Sequence, residues 1–491
     1  MERESRIQIV AILSMVMLLN VPAWGKYGGG RGTATDPYLI YTAADLKALG
    51  QDRGNWGYCD HYRLMADIDL AGVEIQPFGT NDERFVGIFH GNGKTVSNLK
   101  MAVSSGNYVG LFGCAEAEIR DLRLVNVEIN APQSTYVGAL AGWAARTVER
   151  CCVEGGMVSG LNEVGGLVGE NGSQMSQCYT TCNVSGDKRV GGLLGESLQH
   201  AIVSECFSTA SVSGTEYVGG LVGGSRGVLK DCYATGQVNG TVMVGGLIGS
   251  NRGDGLIWNC YAAGPVHGNA FVGGLCGFEV VCYRSFWDME TTRQSTGYRG
   301  VGLTTTQMRS ADTFPGWGRS GAWTIDEGND YPRLAWESRP GSPLTAPAFP
   351  DVEGAGTADS PYLICTNGQL NAIGDCPGEW DRYYRLESDL DLAELDEPFR
   401  LMGYDQLYFT GTFDGNGHSI ANFECPYAGY GVGMFACTLG AMIRRVTLVN
   451  PYTEQNWSIS SAAWWASRSK GRWRRAEPKA ASCRVGTASA G

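Results

Sequence analysis

Apolar residues along this chain do not keep the 3.6-residue spacing of a helix. They cluster in short blocks between glycines, and the blocks recur. Val109, Val137, Val164, Val190, Val218, Val244 and Val272 each open a copy: VGLFG, VGALAG, VGGLVG, VGGLLG, VGGLVG, VGGLIG and VGGLCG. The intervals are 28, 27, 26, 28, 26 and 28 residues. Each unit carries a second strand-like stretch, such as VLKDCYATGQVNG (228–240) or LIWNCYAAGPVHG (256–268), where Val, Ile, Leu, Tyr and Cys are punctuated by Gly and Asn. Self-similarity at this period predicts a solenoid whose units bury their apolar faces only by stacking on neighbours. The fold class expected is all-β: a parallel β-solenoid (β-helix) of about 26–28 residues per coil, with two or three short strands in each. At about 4.8 Å per coil, seven or eight coils make a rod of roughly 35 Å. The Gly-Gly pair marks either a corner of positive φ or a place where successive coils pack closely.

A larger duplication encloses the small one. GTATDPYLIYTAADLKALG (32–50) matches GTADSPYLICTNGQLNAIG (356–374), and FVGIFHGNGKTVSNL (85–99) matches FTGTFDGNGHSIANF (409–423). Each module thus opens with a strand and a short helix that would cover the open end of the solenoid. Thr42 with Asp45, and Thr366 with Gln369, stand at capping-box spacing, and Gly50 and Gly374 are placed to stop the helix. The organisation expected is a signal peptide at 1–25, a first module at 26–337 closing with WTIDEGNDYPRLAWE (323–337), a proline-rich linker at 338–353, a truncated second module at 354–459 and an aberrant basic tail at 460–491.

On the PYLIYTAADL opening, the FxGxFxGNGxxIxN stretch, the VGGLVG series and the closing DYPRL, the chain resembles exported bacterial proteins bearing the GLUG motif. That motif is named for its Gly-Leu-Gly-type repeat and is also found in some immunoglobulin A peptidases. The resemblance runs from Gly30 to about Asn456. It implies an architecture; the motif brings no catalytic residue to transfer.

Arg3 and Arg6 precede an apolar run from Ile7 to Leu19, and Ala23-Trp24-Gly25 supplies small residues at the −3 and −1 sites. This has the form of a secretory signal peptide cut after Gly25, which predicts a secreted or cell-surface protein with no membrane span after cleavage. A retained anchor is the competing reading, and the run is short for a span. The chain carries a net charge of −12, while residues 461–491 hold seven Lys/Arg against one Glu. The body is therefore more acidic than the whole, which argues against nucleic acid and anionic membrane as partners.

The candidate chemistry is sparse. IFHGNGKT (88–95) comes nearest to a phosphate-binding loop, but Ile88 stands at the first glycine position, so no nucleotide is expected. His61, His90, His200, His267 and His418 form no H-E-x-x-H pair, no G-x-S-x-G elbow occurs, and no cofactor, metal site or catalytic residue is predicted. Asp67-x-Asp69 and Asp389-x-Asp391 recur at equivalent positions. They fit strands with acids facing water, against an acid/base pair or a calcium site. Cys178, Cys206, Cys232 and Cys260 fall in step with the repeat, which favours small core residues stacked coil on coil over disulfides.

Tyr179, Phe207, Tyr233, Tyr261 and Tyr283 each follow a cysteine. If the cysteines face inward, these rings line the outside as a ladder for successive sugars of a polysaccharide or host glycan; otherwise they are core. Counting back from Val266 puts Cys260 inside, and counting forward from Ile257 puts Tyr261 inside. A bend near Asn259 must decide.

Residues 457–491 lack the repeat. A further motif is due near residue 461, and Trp464-Trp465-Ala466, translated two bases later, encodes Val-Gly whatever the synonymous codons. A frameshift before residue 460 is the expectation, against a natural basic tail. The function expected is an exported, non-catalytic scaffold, spacer or adhesin in contact with carbohydrate. The alternative is a polysaccharide lyase or glycoside hydrolase on the same fold. An enzyme should show one off-repeat cluster of Asp/Glu with Arg or Lys, and a scaffold should show regular faces.

Overall fold

The computed structural model describes residues 26–453 apart from 54–55, 252–254, 279–280, 299, 315–316, 345–351, 375, 377–378, 396–398, 404–407 and 426–432. The signal peptide, the frameshift region, the basic tail and most of the later half of the proline-rich stretch lie outside the described residues. Two compact units emerge: 26–280 with 285–303, and 281–284 with the residues from 304 onward.

The first unit is a parallel β-solenoid. Within one coil the chain forms Glu216–Gly219, Val222–Ser225, Val228–Lys230, Tyr233–Ala234 and Val238–Asn239, so each turn holds five short strands rather than the two or three expected. Every one pairs in parallel with its counterpart in the next coil, in register. Val164, Val190, Val218, Val244 and Val272 form one column; Val168, Leu194, Val222, Ile248 and Cys276 form another. Leu140, Leu167, Leu193, Leu221, Leu247 and Leu275, each without solvent exposure, fill the interior between them. Each such side chain contributes about 1.5–3 kcal/mol of burial, but only once a neighbouring coil covers it.

Two kinds of corner subdivide the coil. At the first, the amides of Leu221 and Val222 both donate to the Leu247 carbonyl, so the chain turns after Gly-Gly. The glycines here do not adopt positive φ. Positive φ falls instead on the residue before the motif valine, which is never glycine: Tyr108, Tyr136, Glu163, Arg189, Tyr217, Met243 and Phe271, from 47° at Glu163 to 65° at Tyr108. The glycines serve close approach. A Cβ on Gly220 would lie 2.1 Å from the Gly246 carbonyl oxygen of the next coil, and one on Gly219 would lie 2.1 Å from the Val222 oxygen.

The second corner is left-handed at Gln177, Glu205, Asp231 and Asn259, each just before a cysteine. This bend settles the parity at residue 259. Ile257 and Cys260 both face inward, and so does Ala262, whose Cβ would meet one built on Gly246 at 2.8 Å. Cys151, Cys178, Cys206, Cys232 and Cys260 make a fully buried column. The Cys178 amide donates to Cys206 Sγ at 3.4 Å, while Cys178, Cys206, Cys232 and Cys260 each point Sγ at the carbonyl two residues back, at 3.1–3.2 Å. Burial pushes the Cys151, Cys206 and Cys260 thiols up, and all five cysteines of the column are free.

At the start of this unit, strand Tyr38–Ile40 leads into helix Ala43–Gln51, and Thr42 and Asp45 form the capping box. Leu46, Leu49 and Gly50 bury the inner face. Gly50 does not stop the helix. It lies inside the last turn, where a Cβ would strike Phe78 at 2.3 Å, and the cap falls at Asp52.

The second unit contains an antiparallel sheet of Trp323–Ile325, Arg333–Leu334 and Ser342–Pro343. It repeats the capped opening: Tyr362–Ile364, helix Asn367–Gly374, then Tyr383–Leu386, Thr412–Asp414 and Met442–Arg444 in parallel register. Thr366 Oγ1 accepts from the Gln369 amide while Gln369 Oε1 accepts from the Thr366 amide, completing the second capping box. Ile364, Leu370, Trp380, Phe409, Phe413 and Phe435 are among its core residues.

Candidate functional site

The paired aspartates are structural. Asp67 Oδ1 accepts the Thr95 amide at 2.8 Å. Asp69 Oδ1 accepts Asn98 Nδ2 at 2.7 Å and the Ala71 amide at 2.9 Å. In the second unit Asp389 accepts the Ser419 amide and Asp391 accepts Asn422 Nδ2, both at 2.7 Å. Asn98 and Asn422 are left-handed corner residues, with φ of 57° and 54°, so these carboxylates hold the next coil's turn. Their hydrogen bonds lower the pKa of Asp69 and Asp389.

The cysteine-linked rings do form a ladder on the outer side of their strands. Tyr179, Phe207, Tyr233 and Tyr261 stack at centroid spacings of 4.8, 4.9 and 5.0 Å, with interplanar angles of 8°, 3° and 5°. The ladder is nonetheless not open to sugars. Each ring lies against the next, so the π faces between them are occupied. Phe207 is 7% exposed, and Tyr233 and Tyr261 are not exposed at all. Tyr179 is half-buried and donates its hydroxyl to the Glu154 carboxylate. The side chain of Tyr283 lies outside the described residues. The expected sugar-stacking face is thereby corrected: outward direction does not make a surface when successive rings pack on one another and are covered.

The polar chemistry gathers at the glycine corner instead. One outer row is the left-handed column Tyr108, Tyr136, Glu163, Arg189, Tyr217, Met243 and Phe271. Beside it runs a second row in strand register: Trp143, Glu170, Glu196, Gly224 and Ser250. Gly224 leaves room for Arg189, whose Cδ would lie 3.5 Å from a Cβ there. Arg189 binds Glu163 and places Nε 2.9 Å from Glu196 Oε2, while an Arg226 Nη lies 3.1 Å from the other Glu196 oxygen. Glu163 and Glu196 are 7% and 4% exposed, so two nearly buried carboxylates share two guanidiniums. Removing either arginine would strand a buried charge.

Toward the first coils the rows become aromatic. Tyr108 and Tyr136 are half-buried and stack at 4.8 Å and 9°. Arg84 lies 4.8 Å over the Trp143 ring and pairs with Glu116 at 3.3 Å. Glu170 sits between the aromatic and ionic portions and makes no hydrogen bond among the described residues. Burial, then the Glu196 and Glu163 charges, push its pKa up to about 7, against the pull of Arg226 and Arg189. Burial likewise raises the Tyr108 and Tyr136 phenols, and the Glu170 charge adds to both.

Glu170 sets a pH dependence. Its folded pKa stands above the ordinary 4.5, so its stabilising contribution is complete below that value and is lost as pH rises through about 7. Glu170→Gln is expected to match the wild type at about pH 4 and to exceed it by about 1–2 kcal/mol at about pH 8, because partial exposure screens the full linkage. Thermal melts at the two pH values check this. A variant less stable at about pH 8 would refute the assigned burial.

This is the off-repeat Glu/Arg cluster expected of an enzyme, but its geometry limits the chemistry. Glycosidic cleavage by two carboxyls needs one acid and one base or nucleophile. Glu163 and Glu196 are held by arginines away from solvent, which leaves Glu170 alone. Among the described residues no group of three or more metal-ligating side chains occurs, and no helix is long and apolar enough to cross a membrane. A cavity of about 470 Å³ between 70–77 and 100–103 has a mixed lining that includes Val73, Ile75, Met101, Glu74 and Gln76, and its Lys100 pairs with Glu128 at 2.9 Å.

Comparison with known proteins finds the GLUG motif at residues 214–239, which span the coil from Gly214 to Asn239. The chain is 33% identical over 153 residues to halomucin of Haloquadratum walsbyi, covering 29% of this chain and 2% of that protein. It is also 33% identical over 186 residues to a protein of Evansella cellulosilytica provisionally named a Gly-rich membrane protein, covering 30% of this chain and 21% of that protein. The chain therefore spans a small part of these relatives. Among solved structures, a Bacteroides ovatus protein named as a candidate immunoglobulin A1 protease aligns at TM-score 0.44 and 22% identity, over 64% of this chain and 96% of its own. An IgA1 protease aligns at TM-score 0.36 and 17% identity, over 50% of this chain and 21% of its own.

Proposed function

We propose that this GLUG-motif β-solenoid acts at the cell surface or outside the cell as a non-catalytic scaffold, and that its glycine-corner face is an adhesive contact for carbohydrate. The observation that carries the proposal is the uninterrupted register of coils. Columns of Val, Leu and Cys run through successive turns without a break, which makes a stiff platform whose two outer rows each offer one exchangeable surface residue per turn. The name of the Evansella relative places that protein in a membrane, in keeping with a surface location here. The signal-peptide form of residues 1–25 supports export.

A glycoside hydrolase is the second reading, and Glu170 is the observation that favours it, as a carboxyl with an acid's pKa. Incubating the purified chain with a polysaccharide panel, with retention and new reducing ends measured in parallel, separates the two. Retention without reducing ends is expected. Reducing ends that appear with the wild type and vanish with Glu170→Gln would overturn the scaffold in favour of the enzyme.

A further inference from the structure

We propose that Tyr108, Tyr136, Trp143 and Glu170 form a binding site for a neutral glycan chain lying along the stacking direction of the coils. This deepens the scaffold reading above and rests on it.

The four residues come together through register. Tyr108 and Tyr136 are successive corner residues, stacked at 4.8 Å. Trp143 and Glu170 are paired in the adjacent row, one coil apart. Both phenols lie within the electrostatic reach of Glu170. Neither phenol hydroxyl nor the Glu170 carboxyl has a hydrogen-bond partner among the described residues. The two stacked rings stand about one coil spacing, 4.7–4.9 Å, apart and Glu170 lies one coil further on in the adjacent row, an arrangement that suits a ligand presenting hydroxyls along its length. All four side chains are half-buried, which gives partial desolvation while leaving edges for contact. Tyr and Trp supply rigid amphipathic area at low entropic cost.

The charges around the site choose a neutral ligand over an acidic one. Glu163 and Glu170 of one coil and Glu196 of the next face the site. The two cations that answer them, Arg189 and Arg226, are already engaged with Glu163 and Glu196. Arg84 is engaged with Glu116 and the Trp143 ring. A uronic acid or sulfated chain would find no uncommitted cation here, and ionised Glu170 would repel it. The covered rings at Phe207, Tyr233 and Tyr261 lack both open area and free hydroxyls, so the site differs from that ladder.

Native electrophoresis through gels containing mannan, xylan, hydroxyethyl cellulose or polygalacturonate tests the proposal. At least one neutral polymer should retard the wild type. Tyr136→Ala and Trp143→Ala should each weaken that retardation about tenfold or more, and Tyr136→Phe should weaken it less, since only the hydroxyl is lost. Met243→Ala, on the same row two coils beyond Arg189 and outside the site, should leave it unchanged. Circular dichroism of each variant identifies any that fail to fold. Retardation that survives Tyr136→Phe, Tyr136→Ala and Trp143→Ala overturns this site and leaves the adhesive scaffold standing. Retardation by polygalacturonate alone overturns the ligand class, and no retardation in any gel overturns the site together with the carbohydrate half of the scaffold reading.

Discussion

Replacing Gly220 by alanine is expected to destabilise its coil by about 3–4 kcal/mol and to loosen hydrogen-exchange protection in the coils on either side. The added methyl would stand 2.1 Å from the Gly246 carbonyl oxygen and 3.0 Å from Ala234 Cβ. The nearest obstacle is backbone, so no rotamer change relieves it. Moving that backbone away breaks the parallel ladder from Val218 to Val244. Overpacking alone costs about 1–3 kcal/mol, and the lost ladder adds to it. Because stacked repeats unravel locally, amide exchange resolved by coil is the right measurement. Met243→Gly is the counterpart. Met243 is already left-handed at φ 57°, so the substitution relieves about 1 kcal/mol of backbone strain, offset by the entropy glycine adds to the unfolded chain. Its stability should stay within about 1 kcal/mol of the wild type. Equal tolerance at Gly220 would show that the coils are not packed as tightly as described.

Tyr233→Ala is expected to cost about 3–5 kcal/mol while leaving polysaccharide retention intact wherever the variant is folded. The ring has no exposure and is sandwiched between Phe207 at 4.9 Å and Tyr261 at 5.0 Å. Truncation leaves a cavity and removes two stacked contacts. Urea unfolding followed by gel retardation measures both effects. Unchanged stability with lost retention would restore these rings as a glycan platform.

Much of the architecture is legible in the sequence because a stacked coil needs the same residue at the same place in every turn. The spacing from Val190 to Val218 to Val244 is the register itself. Gly-Gly pointed correctly to a corner, and close approach is the alternative that the structure selects. The left-handed positions were not legible. Tyr217, Met243 and Phe271 are poor residues for positive φ, and only the stacking of neighbouring coils holds them there. Local preference is overruled by tertiary packing, which no single coil reveals.

The glycine-corner face was hidden for a related reason. Glu163, Glu170, Arg189, Glu196 and Arg226 are dispersed along the chain and share no motif. Register alone brings Glu170 beside Glu196. The signal available was variation: the residue before each motif valine changes among Tyr, Glu, Arg, Met and Phe while the valine stays. The cysteine-linked aromatics misled by their regularity. Alternation along the strand left their direction open until the left-handed bend at Asn259 turned them outward, and it says nothing of what covers them.

The left-handed row has an evolutionary consequence. Its backbone geometry is imposed from beneath, so away from the ion-paired Glu163 and Arg189 the side chain above can drift without cost to the core, and such a turn behaves as an independently editable character in a line of text. Gain or loss of a 26–28-residue unit lengthens or shortens that line by one character and leaves the remaining ones in phase. On the adhesive reading proposed above, affinity for a polymer would follow copy number, which recombination between the repeats changes faster than point mutation within any one of them.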